Sequence, residues 1–331
     1  MGDLPLRACI KGTGSFLPEI VMTNKDVEAL CPTTNDEWIR KRTGIEQRHR
    51  SKDGEGSSVL AIEAAKLAMA DAGVTAEEIE CIICPTVTPD QISPCVSQLT
   101  QAGLGAVNAS AFDINAACSG FVYGLQAADA FVRAGVYKTL LIIGAETTMR
   151  LLNWEYRDTA VLFADGAGAV VVVAEEYDGG VLMTNVGADG TGEELLSMPQ
   201  GGFRHERTPE NLEDEEWKIL MKGPELYKRA VHIFESEIRN ALKQGNVGVD
   251  DIDLFIPHQA NARIIETVRE RVGLPTEKCF VNIDHTGNTV AASIPIALDE
   301  ANKAGLIKKG DLVLFAAFGA GLTWGSALIR W

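Results

Sequence analysis

The chain has 331 residues, 46% of them hydrophobic and 23% charged, a balance that excludes a disordered or fibrous protein. Its formal net charge of -16 sets it against nucleic acid and anionic lipid, so an anionic ligand has to find a local cluster of Lys and Arg. No apolar run reaches the ~20 residues of a bilayer span, Met1-Gly-Asp-Leu-Pro5 lacks a basic-then-apolar leader, and seven cysteines are too sparse for a disulfide framework, so a reduced, cytoplasmic setting is expected.

In chain order the pattern alternates strand and helix. Cys9 falls in the expected first strand. The Ala-rich stretch Glu63 to Ala72 reads as helix. Ile79 to Cys84 is an apolar run that contains both Cys81 and Cys84, with no exposed turn beside them. That makes the two cysteines core residues rather than a redox or zinc pair. Ala111-Phe-Asp-Ile114 is strand-like and leads through Asn115-Ala-Ala to Cys118, then to a helix from Gly120 to Ala134 closed by Gly135. Val161 to Ala174 reads as a Gly-interrupted buried strand. Within it, Asp165-Gly-Ala-Gly168 runs into strand rather than helix, which argues against a phosphate loop. Gly201 to Glu216 carries Arg204, His205, Pro209 and the acidic run Glu213 to Glu216. It breaks the pattern as a surface excursion, either a lid or a solvated loop. Pro224 to Gln244 is an amphipathic helix closed by Gly245, and Leu254-Phe-Ile-Pro257 is a strand with His258 at its tip. Phe318-Gly-Ala-Gly-Leu-Thr-Trp-Gly325 follows the last long strand, Leu312 to Ala316.

The chain also repeats itself. Residues 72–85 and 245–258 each end a helix, turn and enter an apolar strand, and aligning Ile79 with Ile252 gives an offset of 173. Phe112-Asp-Ile-Asn115 leads to a small-residue helix, Ala134-Gly135 and the strand Thr139 to Ile143. Val281-Asn-Ile-Asp284 leads to another such helix, Ala304-Gly305 and the strand Leu312 to Ala316, at an offset of 170. Both pairs keep order and spacing. The expectation is a layered α/β protein of two similar halves, residues 1–176 and 177–331.

Cys118 stands near a helix N-terminus, where backbone N–H groups and the helix dipole favour a thiolate, and its small neighbours admit a substrate. The other reading is a small buried cysteine in a tight turn. A nucleophile needs partners. His258 faces the polar run Gln259-Ala-Asn261. Asn288 is either a cap or turn residue or, by the repeat, holds nearly the place that Cys118 holds in the first half. The repeated loops should meet at the centre, which makes Cys118, His258 and Asn288 one expected constellation. His49, His205, His232 and His285 show no metal-ligand spacing. The glycine loop 318–325 is placed to supply a backbone N–H to an oxyanion.

Asp113-Ile-Asn-Ala-Ala-Cys118-Ser-Gly120, Pro257-His-Gln-Ala-Asn-Ala-Arg263, Gly287-Asn-Thr289 and the glycine loop resemble the β-ketoacyl-acyl-carrier-protein synthase III family. Glu37-Trp38-Ile-Arg-Lys-Arg42-Thr43-Gly-Ile45 and Asp165-Gly-Ala-Gly-Ala169 extend the likeness over essentially the whole chain. The resemblance implies a duplicated thiolase-like fold, layered α-β-α-β-α, in a homodimer without cofactor or metal. It implies that Cys118 takes an acyl group from acyl-CoA, and that His258 and Asn288 stabilise the carbanion formed from malonyl-acyl-carrier protein. The backbone N–H groups of Cys118 and Ala320 would hold the oxyanion, and the product would initiate fatty acid biosynthesis. Trp38, Arg42, Thr43 and Arg157 match the CoA-binding residues. Lys228, Arg263 and Arg271 match the patch that docks the acidic carrier protein. Neither nucleic acid nor membrane is an implied partner.

Two positions depart from the family pattern. Ala320 replaces the middle Gly of the usual Gly-Gly-Gly run. Ser93 stands where many members place a bulky aromatic at the floor of the acyl pocket, which leaves room for a primer longer than acetyl. The runner-up is thus a related enzyme using a medium-chain or aromatic acyl-CoA for a secondary product. A thiolase would need a second cysteine in the glycine loop, an elongating synthase a second histidine, and a hydroxymethylglutaryl-CoA synthase a glutamate near Asp90-Gln91; none is present. A non-catalytic carrier-binding subunit would lack the nucleophile.

Overall fold

The computed structural model describes residues 4–198, 208–211 and 218–331. Strand β1 (Leu6–Phe16) leads to a ribbon of β2 (Ile20–Thr23) and β3 (Gln47–Arg50) that brackets helices α1 (Asn24–Leu30) and α2 (Asp36–Thr43). Asn35 caps α2 by accepting from the Trp38 N–H at 2.8 Å. Helix α3 (Ser57–Ala72) begins before the expected Glu63, because Asp90 accepts from the Ser58 N–H and hydroxyl and so caps it from another loop. Then come β4 (Cys81–Pro85), α4 (Val96–Leu104), β5 (Ser110–Ile114), α5 (Gly120–Arg133), β6 (Thr139–Thr147), α6 (Arg157–Ala160) and β7 (Asp165–Glu176). The strand expected from Val161 starts at Asp165, since residues 161–164 are spent leaving α6.

The chain continues through β8 (Gly180–Ala188), β9 (Leu196–Ser197), β10 (Leu220–Met221), α7 (Gly223–Gly245), β11 (Leu254–Pro257), α8 (Ala262–Val272), α9 (Ile283–Thr286), α10 (Ser293–Lys303), β12 (Leu312–Gly319) and β13 (Thr323–Arg330). Helix α7 is closed by Asn246, at φ +52, one residue past the expected Gly245. Most of the excursion expected at 201–216, including Arg204, His205 and the acidic run, lies outside the described residues. Where the flanking chain is described, β9 and β10 pair antiparallel.

Two sheets carry the fold. One has the order β1-β7-β6-β4-β5, the other β11-β12-β13-β8. In both, a parallel pair (β4·β6, β11·β12) is followed by two antiparallel pairs (β6·β7·β1, β12·β13·β8). The second sheet has no partner for β5. The chain near residue 280 makes only a bridge from Cys279 to Phe255. Helices α5 and α10 lie between the sheets, α3 covers the outer face of the first, and α7 and α8 cover the second. The result is the expected α-β-α-β-α layering. The middle layer is a buried apolar cluster: Phe121, Val122 and Leu125 of α5 meet Ile294 and Leu298 of α10, with Ile83, Ile142, Ile256 and Phe315 from the strands. Burial of each such side chain contributes about 1.5–3 kcal/mol. It also fixes the first turns of α5 and α10 relative to one another.

Candidate active site

The nucleophile is placed by a strained turn. After β5 the backbone makes a single 3-10 turn at residues 117–119 and passes straight into α5. Ala117 has φ +46, in the left-handed region, and Val290 has φ +51. Residues 117 and 290 are separated by the same 173-residue offset as Ile79 and Ile252, so the two halves repeat even this strain. The offset pairs Cys118 with Ala291, and Asn288 with Asn115. Asn288 therefore sits three residues from the true counterpart of Cys118, not at it.

Gly319, at the end of β12, comes so close that a Cβ there would lie 2.7 Å from the Cys118 nitrogen; only glycine fits. The next N–H, of Ala320, and the N–H of Cys118 itself lie near the Cys118 sulfur and favour its ionised form. The loop that follows is the turn of a β12–β13 hairpin rather than a tail after the last strand. Thr323 Oγ1 ties it down, with the Ala116 carbonyl at 2.8 Å and the Ala320 carbonyl at 3.0 Å as the two acceptors within reach of its one hydrogen.

Cys118 is only 6% exposed. Burial pushes its thiol up to about 12, the charge of Glu146 adds to the effect, and the two N–H groups oppose it. Burial thus works against the thiolate that a helix N-terminus favours.

His258 continues from β11, its N–H bonded to the Ala316 carbonyl at 2.8 Å. The ring is buried, and burial lowers its pKa to about 3, so the imidazole is neutral. Its Nδ1 is 2.6 Å from the Ser293 hydroxyl. Asn288 is held on both sides by the 162–164 segment: its N–H donates to the Leu162 carbonyl at 3.0 Å and its carbonyl accepts from Ala164 at 2.9 Å. Asn288 Oδ1 accepts from the Val290 N–H at 2.9 Å, which leaves Nδ2 as the donor end of the amide.

Cys118, His258 and Asn288 line one cavity of about 560 Å³, together with Phe318 and Gly319. A second cavity of about 350 Å³ shares Cys118, Phe163 and Leu196 with the first and is lined further by Leu151 and Ile219. The sulfur stands at their junction.

The other expected site residues divide. Trp38, Arg42, Thr43, Lys228 and Arg263 line the larger cavity. Arg157 stacks on Trp38, its guanidinium carbon 4.3 Å from the ring centroid, while Arg42 is at 6.0 Å. A ring held between Trp38 and Arg157 requires the arginine to swing away. Arg271 lies elsewhere, paired with Glu235 of α7 at 3.3 Å. Ser93 is exposed beside Ile92 and lines neither cavity within this chain. Cys81 and Cys84 are buried in β4, as their apolar run implied. Among the described residues no cluster of His, Cys, Asp and Glu is arranged to hold a metal ion, and no helix is long and apolar enough to cross a membrane.

Two residues were missed by sequence reasoning. Ser293 opens α10 in the run Ala291-Ala-Ser-Ile294, which reads as helix and carries no signal of a contact with His258. Glu146 ends the apolar strand β6, and an acid there is the one signal that was available. It is fully buried and accepts from the Thr88 hydroxyl at 2.6 Å, from the Val87 N–H at 3.2 Å and from the Ala291 N–H. Burial lifts its carboxyl to about 8, against an ordinary value of 4.5. Between those two values the unfolded chain is ionised while the folded one keeps its proton. Stability from this group is therefore complete below pH 4.5 and lost as the pH rises through 8. At ~1.4 kcal/mol per pH unit the cost reaches a few kcal/mol. Glu146→Gln should melt close to wild type at pH 5 and several degrees above it at pH 8.5. Equal melting differences at the two pH values would reject a protonated Glu146.

The chain matches two family models, "3-Oxoacyl-[acyl-carrier-protein (ACP)] synthase III" over residues 112–190 and its C-terminal partner over residues 242–331. It is 49% identical over 326 residues to the beta-ketoacyl-acyl-carrier-protein synthase III of Caldanaerobacter subterraneus subsp. tengcongensis, covering 98% of each chain. It is 49% identical over 325 residues to that of Xanthomonas campestris pv. campestris, covering 97% of this chain and 98% of the other. The crystal structure of 3-oxoacyl-acyl-carrier-protein synthase III from Aquifex aeolicus superimposes with a TM-score of 0.91 at 46% identity, over 98% of this chain and 100% of that one.

Proposed function

This chain belongs to the 3-oxoacyl-acyl-carrier-protein synthase III family of condensing acyltransferases, which open fatty acid synthesis, and from that premise we propose how its residues divide the reaction. Cys118 attacks the carbonyl of an acyl-CoA, and the thiol proton leaves on the CoA sulfur. Malonyl-acyl-carrier protein then enters the larger cavity. As carbon dioxide leaves the malonyl group, His258 and Asn288 Nδ2 donate to the thioester oxygen and hold the enolate. Its carbon attacks the acyl-Cys118 carbonyl. The N–H groups of Cys118 and Ala320 take the oxyanion, and the tetrahedral intermediate collapses by expelling the Cys118 sulfur. Neutral donors suit an enolate, and a ring held near pKa 3 is neutral at every working pH.

The observation that carries this reading is the shared cavity of Cys118, His258 and Asn288, with the Ala320 N–H beside the sulfur. The test is an intact-mass experiment. A series of acyl-CoA substrates should load one acyl group on Cys118, and malonyl-carrier protein should discharge it as a β-ketoacyl product. Release of free acid instead would point to a hydrolase. The acyl chain occupies the smaller cavity, lined in this chain by Leu151 and Ile219, and Ser93, which lines neither cavity of its own chain, is left to meet the acyl end across the proposed dimer. Trp38, Arg42, Thr43 and Arg157 receive CoA. The halves 1–176 and 177–331 are taken as duplicated units, the protein as a cytoplasmic homodimer.

Carrier docking falls to Lys228 and Arg263, both exposed at the cavity mouth. Arg271 contributes less, its charge being engaged by Glu235. Surface charges of this kind act within a screening length of ~8–10 Å. Arg263→Glu should raise the KM for malonyl-carrier protein several-fold and spare acylation by acyl-CoA. Added salt should do the same to wild type. An unchanged carrier KM would remove Arg263 from the docking surface.

A further inference from the structure

We propose that Ser293 is a positioning residue that fixes the tautomer of His258: its hydroxyl donates to Nδ1 and so keeps the ring proton on Nε2. The proposal rests on the reading above in which His258 donates to the malonyl thioester.

The geometry runs through one oxygen. Ser293 Oγ is 2.6 Å from His258 Nδ1, and both residues are buried, at 2% and 1% exposure. The same Oγ accepts from the Gln259 N–H at 3.3 Å. A hydroxyl has one hydrogen to give. With the Gln259 N–H pointing at the oxygen, that hydrogen is directed to Nδ1. A neutral imidazole carries one N–H, so Nδ1 as acceptor leaves Nε2 as donor. The reverse arrangement, Nδ1–H donating to Oγ, would turn the serine hydrogen away. No second acceptor for it is found among the hydrogen bonds of the described residues, and Nε2 would then face the cavity with a lone pair. A lone pair repels the oxygen of an enolate; an N–H stabilises it.

The chain places this contact from a distance. Ser293 opens α10, and His258 ends the β11 segment, 35 residues earlier. The packed middle layer fixes α10. The serine thus reports to the histidine where the helix stands, and the ring is oriented before substrate arrives. Burial keeps the ring neutral, so a tautomer exists to be chosen.

The experiment reads the tautomer directly. Uniformly ¹⁵N-histidine-labelled enzyme gives long-range proton–nitrogen correlations for each ring, and the His258 signals are those lost in His258→Ala. Wild type should show the Nε2–H pattern, unchanged from pH 6 to 8.5. An Nδ1–H pattern overturns the proposal. In parallel, Ser293→Ala should lower malonyl decarboxylation about tenfold, more than it lowers acylation of Cys118, and Ser293→Thr should restore most of the loss. Decarboxylation in Ser293→Ala equal to wild type also overturns it. His258→Ala separates the two readings. If His258→Ala loses decarboxylation but Ser293→Ala does not, the positioning role alone falls. If neither does, the donor role of His258 falls with it. The wild-type spectrum decides the question even where a variant does not fold.

Discussion

Cys118→Ala should lower acyl transfer from acyl-CoA by at least about a thousandfold, the usual scale for removing a covalent nucleophile. The sulfur faces the junction of two cavities, so its loss opens no void in the core and melting should barely change. Malonyl decarboxylation should persist, because His258 and Asn288 remain. The six other cysteines cannot replace it. Cys81 and Cys84 are sealed in β4, and burial raises their thiols too. Cys95 lies at the start of α4, outside both cavities. An acyl adduct found by peptide mass spectrometry on Cys84 or Cys95 would overturn the assignment. The pH profile gives a second check. A thiol held near 12 reacts through its small thiolate fraction, so acylation should climb with pH. Near pH 8 Glu146 ionises, and its charge disfavours the thiolate, so the climb should flatten there in wild type and continue in Glu146→Gln.

Much of the site was legible because its signals are local. Cys118 stands between a strand and a helix among small residues, and that arrangement is a sequence pattern. His258 ends an apolar strand and is followed by polar residues. The repeat brought Asn288 near the centre, although the shared left-handed turns at Ala117 and Val290 put Ala291 opposite the cysteine. What was not legible depends on contacts between distant segments. Glu146 reaches residues 86–88 and 291, and Ser293 reaches back to 258; neither pattern exists along the chain. Arg271 shares a helix with Arg263, but the charge that claims it, Glu235, belongs to α7. The effect of burial on the Cys118 thiol was hidden for a related reason. A helix terminus can be read from sequence, whereas the depth at which it is buried cannot.

These misses explain how the centre is held. Glu146 accepts N–H groups from the loop after β4 and from the turn after Asn288, which ties the two halves together beneath the cysteine. Ser293 then connects that second turn to His258. The segments that carry Asn288 and His258 are thus linked by buried hydrogen bonds, and the Cys118 turn is tied to the glycine loop through Thr323. In a low-dielectric interior such bonds are strong, and losing one partner strands the other. Rigidity here serves catalysis: donors aimed in advance at an oxyanion need no reorganisation when charge appears.

The same logic sets the loss expected when either enolate donor is removed. His258→Ala and Asn288→Ala should each lower malonyl decarboxylation on the order of a hundredfold. Acylation of Cys118 should fall much less, since neither side chain supplies the oxyanion hole for that step. Asn288→Ala has a second effect, because Oδ1 also holds the Val290 N–H. Asn288→Asp isolates the donor: it keeps an acceptor for Val290, removes Nδ2 and adds a negative charge beside the enolate. It should therefore lose at least as much decarboxylation as the alanine variant. If both donors grip one oxygen, the double variant should lose less than the product of the single losses. Fully multiplicative losses would mean that they act on different atoms. The pH profile adds a constraint from His258. With its pKa held near 3, the ring stays neutral from pH 5 to 9, and decarboxylation should show no break near 6.5. A break there that disappears in His258→Ala would mean the ring titrates in the working enzyme, and the neutral-donor role would have to be given up.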